Sequence, residues 1–322
     1  MTENTSEPVP QPPAGRYDGS WERSNKSLTT AAILGLIIVG IIYYYGLNII
    51  VGIAVFAKST GVHPEGKSLI ENLTTTVMAT KNPIRWSVMM CEFIFMLIPT
   101  IWLISRWHTK KVLSYVRFNR VPVIEVLLAV VTTVLFIPVS SYISEFLMRQ
   151  LNFPDFLAQI DEQIFTSYTA TEFFWLIVVV CVTPAICEET LFRGYFQRTL
   201  ERTIGMKSLF VAGIIFGLYH MQPINLISLS LLGILIGFFY YRSKSILPGV
   251  AAHFTNNLLA VLSLYKMPDG HPVAAFLSNA TPFLGFLAGI LLSGIFVIVY
   301  LRVTEKNFVA KDAGLETREQ II

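Results

Sequence analysis

Long apolar runs constrain this chain more than any other feature of its sequence. They follow one another from residue 29 to residue 301, and most approach the roughly 20 residues that a bilayer helix needs. Only 14% of the residues are charged, against roughly 25% in an average soluble domain, which is too few to cover a water-facing surface. The sequence therefore predicts an all-α, polytopic transmembrane bundle of about eight helices: 29–56, 86–106, 122–141, 172–192, 208–222, 224–241, 246–265 and 282–301.

The basic residues between these runs predict the orientation in the membrane. With the N-terminus in the cytosol, 18 of the 24 lysines and arginines fall on the inner side, as the positive-inside rule requires. We therefore expect both termini to be cytosolic, in a multi-pass protein of the cell membrane, namely a bacterial cytoplasmic membrane. The outer segment 142–171 is rich in Phe and Leu and broken by Pro154, which predicts an amphipathic helix along the interface.

Polar tails flank the membrane domain, which we place at 29–301. Residues 1–28 contain four prolines among polar residues and little that could be buried, which predicts a disordered cytosolic tail. Residues 302–322 form a second predicted cytosolic tail. The net charge is only +3, and no basic cluster is interleaved with aromatic residues, so we expect the lipid bilayer as a partner and no nucleic acid. Nothing in the sequence indicates an oligomeric state.

Two adjacent glutamates end the fourth apolar run. Ionisable residues inside a bilayer helix are expensive to keep and usually functional. Glu189 and Arg193 are spaced i,i+4 with the acid first, which favours an ion pair within one helix. Glu188 lies about 100° around the helix from Glu189 and can therefore meet a different neighbour. The alternative is a solvated pair of glutamates at the cytosolic interface.

Two histidines and an asparagine follow on later apolar runs. His220 ends the segment Phe216–His220, while His253 and Asn257 share a helix face at i,i+4. An imidazole can orient or deprotonate water near neutral pH, and an asparagine amide can donate to a developing oxyanion. Together with a glutamate base, these groups contain what peptide hydrolysis requires. Counting residues from the inner ends of the runs places His220 deeper than His253. A tilted or kinked helix, or an earlier start of either span, would bring the two histidines level.

These residues carry a resemblance to a known family. The ordered patterns GluGluxxxArg, PhexxxHis and HisxxxAsn resemble the CPBP family of intramembrane proteases, which comprises the CAAX prenyl proteases and bacteriocin-processing enzymes of the Abi type. The resemblance covers about 170–265. It implies a glutamate-dependent or metallo-endopeptidase that hydrolyses membrane-associated peptides or proteins. In bacteria, a role in bacteriocin immunity or peptide maturation is implied as well.

The resemblance also implies roles for individual residues. Glu188 matches the glutamate that activates water, assisted by His220, and Glu189 and Arg193 match the supporting pair. His253 and Asn257 match the residues thought to stabilise the oxyanion. No cofactor is certain from the sequence, but Glu188, His220 and His253 could ligate zinc with an open position for water. The paired placement of His253 and Asn257 favours the metal-free route.

Two alternatives stay open at this point. A non-catalytic membrane regulator or immunity protein, binding a partner such as a sensor kinase, could use the same fold. A transporter would also explain intramembrane Glu and His residues, and it would need Glu92 and Glu125 in the second and third runs. For these two glutamates, placement at the membrane interface is the favoured interpretation.

Overall fold

The structure is a computed structural model that describes residues 17–24, 26–59, 69–151, 162–267, 271–272 and 282–321. Within these ranges the chain is almost entirely helical. We number the helices α1 (Ser20–Arg23), α2 (Leu28–Ser59), α3 (69–108), α4 (Val112–Tyr115), α5 (Val123–Gln150), α6 (Ala170–Ile204), α7 (Lys207–Tyr219), α8 (Leu226–Ser243), α9 (Leu247–Ser263) and α10 (Phe283–Ile321). The all-α bundle predicted from the sequence is confirmed.

Among the described residues, six helices are long and apolar enough to cross a membrane. They are Leu28–Ala57, Ala79–His108, Val123–Gln150, Ala170–Ile204, Leu226–Ser243 and Phe283–Glu305. Helix α7 is apolar but has only 13 residues, so it rises about 20 Å against a hydrocarbon core of about 30 Å. Helix α9 has 17 residues. The protein is thus a multi-pass helical membrane bundle, while eight spans and two cytosolic termini stay predictions.

Two predicted segments differ from the structure. Helix α5 continues through Pro138 to Gln150, so residues 142–150 extend the third span instead of starting an interfacial helix; residues 152–161 lie outside the described residues. The predicted disorder of 1–28 is wrong for 17–24, which pack against the end of α3. A buried ion pair holds this segment, and composition alone does not reveal it. Residues 1–16 lie outside the described part of the chain.

The segment that includes α1 is held by the carboxylate of Glu22. It accepts hydrogen bonds from both terminal nitrogens of Arg202, at 2.5 and 3.1 Å, and lies 2.6 Å from Nδ1 of His108. Burial alone would raise the pKa of Glu22, but the hydrogen bonds from His108 and Arg202 outweigh it and lower the pKa below its usual value. Glu22 therefore stays ionised and fixes this end of the molecule.

Helices α3 and α6 contain stretches of wider π-helical turns. Helix α3 has them at Glu92–Leu97 and Ile104–His108, and α6 at Ile177–Val182 and Thr190–Gln197. A π-helical turn holds an extra residue and often occurs at a functional site, because it turns the following side chains to a new face. In α6 the two stretches flank Thr183–Glu189, which carries both predicted catalytic glutamates.

Helix α6 lies at the centre of the bundle, and α7 and α8 pack closely beside it. Residues 191–200 of α6 are all buried. Glycines allow α7 and α8 to approach: a Cβ on Gly213 would lie 2.5 Å from the backbone nitrogen of Ile234, and one on Gly233 would lie 2.8 Å from the Gly213 carbonyl oxygen. By contrast, large apolar side chains remain exposed along α2 and α10, as expected for surfaces that contact lipid.

Candidate active site

The Glu189–Arg193 pair predicted from the spacing is confirmed. Arg193 Nη1 donates to Glu189 Oε1 at 2.6 Å, and both side chains are fully buried. Arg193 Nη2 also donates to the Gly233 carbonyl on α8, at 2.9 Å, and its guanidinium lies 4.6 Å from the ring centroid of Phe216. The pair thus ties α6 to α7 and α8, and it keeps one of the two glutamates neutralised within its own helix.

His253 contacts the same carboxylate from α9. Its Nδ1 lies 2.8 Å from Glu189 Oε1. A carboxylate ionised by pairing with Arg193 can only accept hydrogen bonds, so Nδ1 of His253 carries the proton and donates. The opposite nitrogen, Nε2, then points toward the remaining glutamate, with its tautomer fixed by Glu189. Glu189 therefore orients an imidazole as well as pairing with Arg193, and the i,i+4 spacing predicts only the second of these contacts.

His220 is fixed in a similar way by Phe216. It caps the C-terminal end of α7, and its Nδ1 lies 2.8 Å from the Phe216 carbonyl oxygen, which can only accept. Nε2 of His220 is therefore the nitrogen left for the site. The Phe216 ring packs against both imidazoles, with its centroid 4.7 Å from that of His220 and 5.7 Å from that of His253. In the PhexxxHis pattern, Phe216 therefore accepts from His220 through its backbone carbonyl and contacts both histidines through its ring.

The two imidazoles converge on Glu188. Its Oε2 lies 3.8 Å from Nε2 of His220 and 4.0 Å from Nε2 of His253. These distances are too long for direct hydrogen bonds, and Glu188 Oε2 is buried with no hydrogen-bond partner among the described residues. The spacing leaves room for one water molecule within reach of all three atoms, and such a water can donate its two hydrogens to two of them at about 2.8 Å. Such a water would touch a general base and two imidazoles at once.

His220 and His253 lie at one site, despite the difference in membrane depth that counting residues predicts. His253 lies only a few residues from the start of α9, whereas His220 follows the whole of α7. The start of α9 is itself buried: Ser243, Lys244, Ser245 and Ile246 are at most 4% exposed. A turn at 117–119 covers it, with Ile246 N donating to the Arg117 carbonyl at 3.0 Å. Because α9 begins inside the protein, His253 reaches the level of His220.

Asn257 lies one helical turn beyond His253, as predicted. Its Nδ2 donates to the Val180 carbonyl at 2.8 Å, within the π-helical stretch of α6. Its Oδ1 accepts from Asn256 at 3.1 Å. An amide nitrogen has two hydrogens, so Asn257 links α9 to the segment before Glu188 and retains one donor. Its role as an oxyanion donor stays a prediction.

The donor set has the right chemistry for zinc but a wider spacing than a zinc site. Ligands around tetrahedral zinc lie about 3.3–3.4 Å apart, given bond lengths of about 2.0–2.1 Å, whereas the Glu188 oxygen is 3.8 and 4.0 Å from the two nitrogens. The described residues contain no cluster of three metal-ligating side chains. Glu188, His220 and His253 remain the residues that could hold the ion, and metal binding stays a prediction.

Sequence reasoning placed one residue near this site wrongly. The interfacial placement predicted for Glu92 is wrong, because Glu92 lies in the middle of the candidate span Ala79–His108 and is 3% exposed. Glu125 is fully buried but lies in the first turn of α5, so its predicted placement near the interface stays a prediction. The rule that an ionisable residue within a span is functional by default could have singled out Glu92. Its neighbours Tyr43 and Tyr219 give no such signal, since tyrosines are common near membrane interfaces.

A comparison with known families matches the segment that carries these residues. Residues 170–259 match the model of the Rce1-like family, described as type II CAAX prenyl endopeptidase. The chain matches the CPBP/CAAX protease family over this segment. The matched residues include all six that the sequence singled out, and they run from the start of α6 nearly to the end of α9. A search of curated proteins gives no match, and neither does a search of solved structures.

Proposed function

We propose that this protein is an intramembrane endopeptidase of the CAAX type, in which Glu188 activates water without a metal. The observation that carries the proposal is that two imidazoles with fixed tautomers approach one oxygen of Glu188. Nε2 of His220 lies 3.8 Å and Nε2 of His253 lies 4.0 Å from Glu188 Oε2. All three groups lie on helices of a membrane bundle. The family match over 170–259 supports the same reaction class.

The chemistry follows from these positions. Glu188 accepts a proton from the bound water as the water oxygen adds to the scissile carbonyl carbon. We assign the stabilisation of the resulting oxyanion to Asn257, which retains one amide donor, and to His253, which Glu189 holds in position. Glu188 then returns the proton to the amide nitrogen as the carbon–nitrogen bond breaks. The products are a carboxylate and an amine, and no external oxidant or second substrate is needed.

The substrate we propose is a membrane-associated peptide or protein. The site is formed by α6, α7 and α9 within the apolar bundle, so a substrate must reach it from the membrane or its surface. The name of the matched family makes a prenylated C-terminal motif the first candidate. A non-prenylated membrane peptide, as in bacteriocin processing, is the second.

The proposal is tested with the purified protein in lipid vesicles. We would incubate it with a farnesylated CAAX peptide, the same peptide without the lipid, and a hydrophobic membrane-spanning peptide, and detect new termini by mass spectrometry. We expect cleavage of at least one substrate by the wild type and none by Glu188→Gln. A protein that cleaves none of them, or a Glu188→Gln variant that cleaves at the wild-type rate, contradicts the proposal.

Elemental analysis of the same active preparation tests the metal-free part separately. We expect no stoichiometric zinc and no loss of cleavage with a chelator. One zinc per chain that is lost together with activity in His253→Ala would instead assign Glu188, His220 and His253 as metal ligands.

A further inference from the structure

Two residues with left-handed backbone lie beside the buried start of α9. Among the described residues, the non-glycine residues with positive φ are Arg117 (φ 61°), Met221 (φ 51°) and Lys244 (φ 50°). Arg117 belongs to the turn that covers the start of α9, and Lys244 lies between α8 and α9. Glycine adopts this backbone without the steric cost that a larger residue meets, so other residues keep it only where their surroundings hold them. A long cationic side chain at each position therefore indicates a contact that glycine could not make.

The side chains of Arg117 and Lys244 meet at Glu201 of α6. Arg117 Nη1 donates to Glu201 Oε2 at 2.7 Å, and its Nη2 donates to Oε1 at 2.8 Å. Lys244 Nζ donates to Glu201 Oε1 at 2.9 Å. All three side chains are at most 8% exposed. A bidentate pair of arginine and carboxylate fixes geometry as well as adding energy, and buried charges in such contacts are costly to separate.

Backbone hydrogen bonds connect these contacts to α9. Ile246 N donates to the Arg117 carbonyl at 3.0 Å. Asn119 bridges the two turns, since its Nδ2 donates to the Lys244 carbonyl at 2.9 Å and its own carbonyl accepts from Ser245 Oγ at 2.6 Å. Helix α9 begins directly after this unit. The position of the two turns therefore determines where α9 begins.

Helix α6 thus holds α9 and the turn before it at two places. Beside the active site, Nδ1 of His253 lies 2.8 Å from Glu189 Oε1. Farther along α6, Glu201 holds Lys244. His253 follows Ile246 by seven residues, which is a rise of about 10 Å along the helix axis. Because a helix transmits an axial shift of its first turn to the residues that follow, loss of the Glu201 contacts would displace the imidazole of His253.

We propose that Glu201 is a positioning residue of the active site: it holds Arg117 and Lys244, and through their turns it sets the axial position of α9 and of His253. This inference rests on the proposed peptidase function. Glu201 takes no part in bond making or proton transfer. Its replacement should therefore slow cleavage by protein that is still folded, with little effect on substrate affinity.

The test compares Glu201→Gln with Glu22→Gln in the vesicle cleavage assay, with kcat and KM normalised to folded protein. Glu22 is the matched control, because it is also a buried carboxylate that pairs with an arginine near the end of α6, and its described contacts with His108 and Arg202 join α1 to α3 and α6. Both variants should be less stable than the wild type. Only Glu201→Gln should lose kcat, by about 10–100-fold with little change in KM, since a displacement of about 1 Å can cost that much.

Lys244→Gly keeps the inference testable if Glu201→Gln does not fold. Glycine favours the left-handed φ that Lys244 already has, and the variant retains the pair between Arg117 and Glu201. We expect kcat to fall by about 3–10-fold, a smaller loss than in Glu201→Gln because one cation is still held. A kcat equal to or above that of the wild type would show that the left-handed turn alone places α9, and it would overturn the role of the Glu201 contacts.

Hydrogen exchange separates this inference from the proposed function. The first N–H groups of a helix have no acceptor within it, so protection of the Ile246 amide reports its bond to the Arg117 carbonyl. We expect this amide to exchange at least about 10-fold faster in Glu201→Gln than in the wild type and Glu22→Gln, even if the wild type cleaves no peptide. Equal exchange in Glu201→Gln and Glu22→Gln, or a wild-type kcat in Glu201→Gln, overturns the role of Glu201 while the peptidase stands.

Discussion

Glu189 contacts both Arg193 and His253. We predict that its contact with Arg193 mainly stabilises the fold, whereas its contact with His253 supports activity. Replacing either member of the Glu189–Arg193 pair leaves one fully buried charge uncompensated, because both side chains are fully buried. Breaking such a pair typically costs about 3–5 kcal/mol. Replacing both members by apolar residues of similar volume removes both charges and is often close to neutral. The double variant Glu189→Leu/Arg193→Met should therefore lose several kcal/mol less than the sum of the two single losses.

Cleavage activity should depend on Glu189 and much less on Arg193. Arg193→Met leaves Glu189 Oε1 in place to accept from Nδ1 of His253, at 2.8 Å, so the folded fraction of this variant should retain substantial cleavage. Glu189→Leu and the double variant remove that acceptor. His253 then loses its fixed tautomer, and by analogy with other residues that orient a functional histidine we expect a loss of about 10–100-fold in kcat.

The assay is equilibrium unfolding in detergent together with peptide cleavage, each normalised to folded protein. Glu145→Gln is the control, because its partner Arg149 is 74% exposed at 3.9 Å, and such surface pairs contribute only about 0–1 kcal/mol. Additive stability losses in the double variant would refute the reasoning about the buried pair. Wild-type cleavage by Glu189→Leu would refute the role of Glu189 in orienting His253.

Three further predictions follow from the structure. Because the pKa of Glu22 is lowered from 4.5, its contribution to stability is present above pH 4.5 and is lost as the pH falls further. The difference in thermal stability between the wild type and Glu22→Gln should therefore shrink below that pH, and a difference independent of pH would contradict this. Asn257→Ala should lower kcat about 10²–10³-fold, measured by peptide cleavage; an unchanged kcat would exclude it as an oxyanion donor. In a variant without native cysteines, a cysteine at Met267, which is 50% exposed, should react with an impermeant label from outside intact cells; one at Phe118, 58% exposed, should require permeabilisation, and the reverse pattern would contradict the predicted topology.

The helical membrane fold was predictable because its signal is local. The apolar runs and the low share of charged residues determine the class, and the i,i+4 spacing of Glu189 and Arg193 determines a contact within one turn. The ordered motifs also named residues that the fold brings together, since Nε2 of His220 and Nε2 of His253 lie 3.8 and 4.0 Å from Glu188 Oε2; their catalytic roles stay predictions. These predictions need only the helical period and the expense of placing charge in lipid.

The predictions from the sequence that failed concern contacts between segments that are distant along the chain. Nothing in the sequence indicates that α9 begins beneath the turn at 117–119, which brings His253 level with His220. Likewise, Glu22 is unremarkable in a polar tail until Arg202 and His108 are placed beside it. The depth of Glu92 depends on how α3 packs against α6, and hydropathy does not report that packing.

The central claim is that Glu188 activates a water molecule for peptide hydrolysis, and isotope labelling tests it most directly. Cleavage would be run in heavy-oxygen water with the wild type, Glu188→Gln and the control Glu125→Gln, and the products weighed by mass spectrometry. We predict that the wild type and Glu125→Gln place one heavy oxygen in the new carboxylate. The rate of cleavage by Glu188→Gln should be lower by at least about 10²-fold. Undiminished labelled product from Glu188→Gln, or wild-type product without the heavy oxygen, would contradict the account.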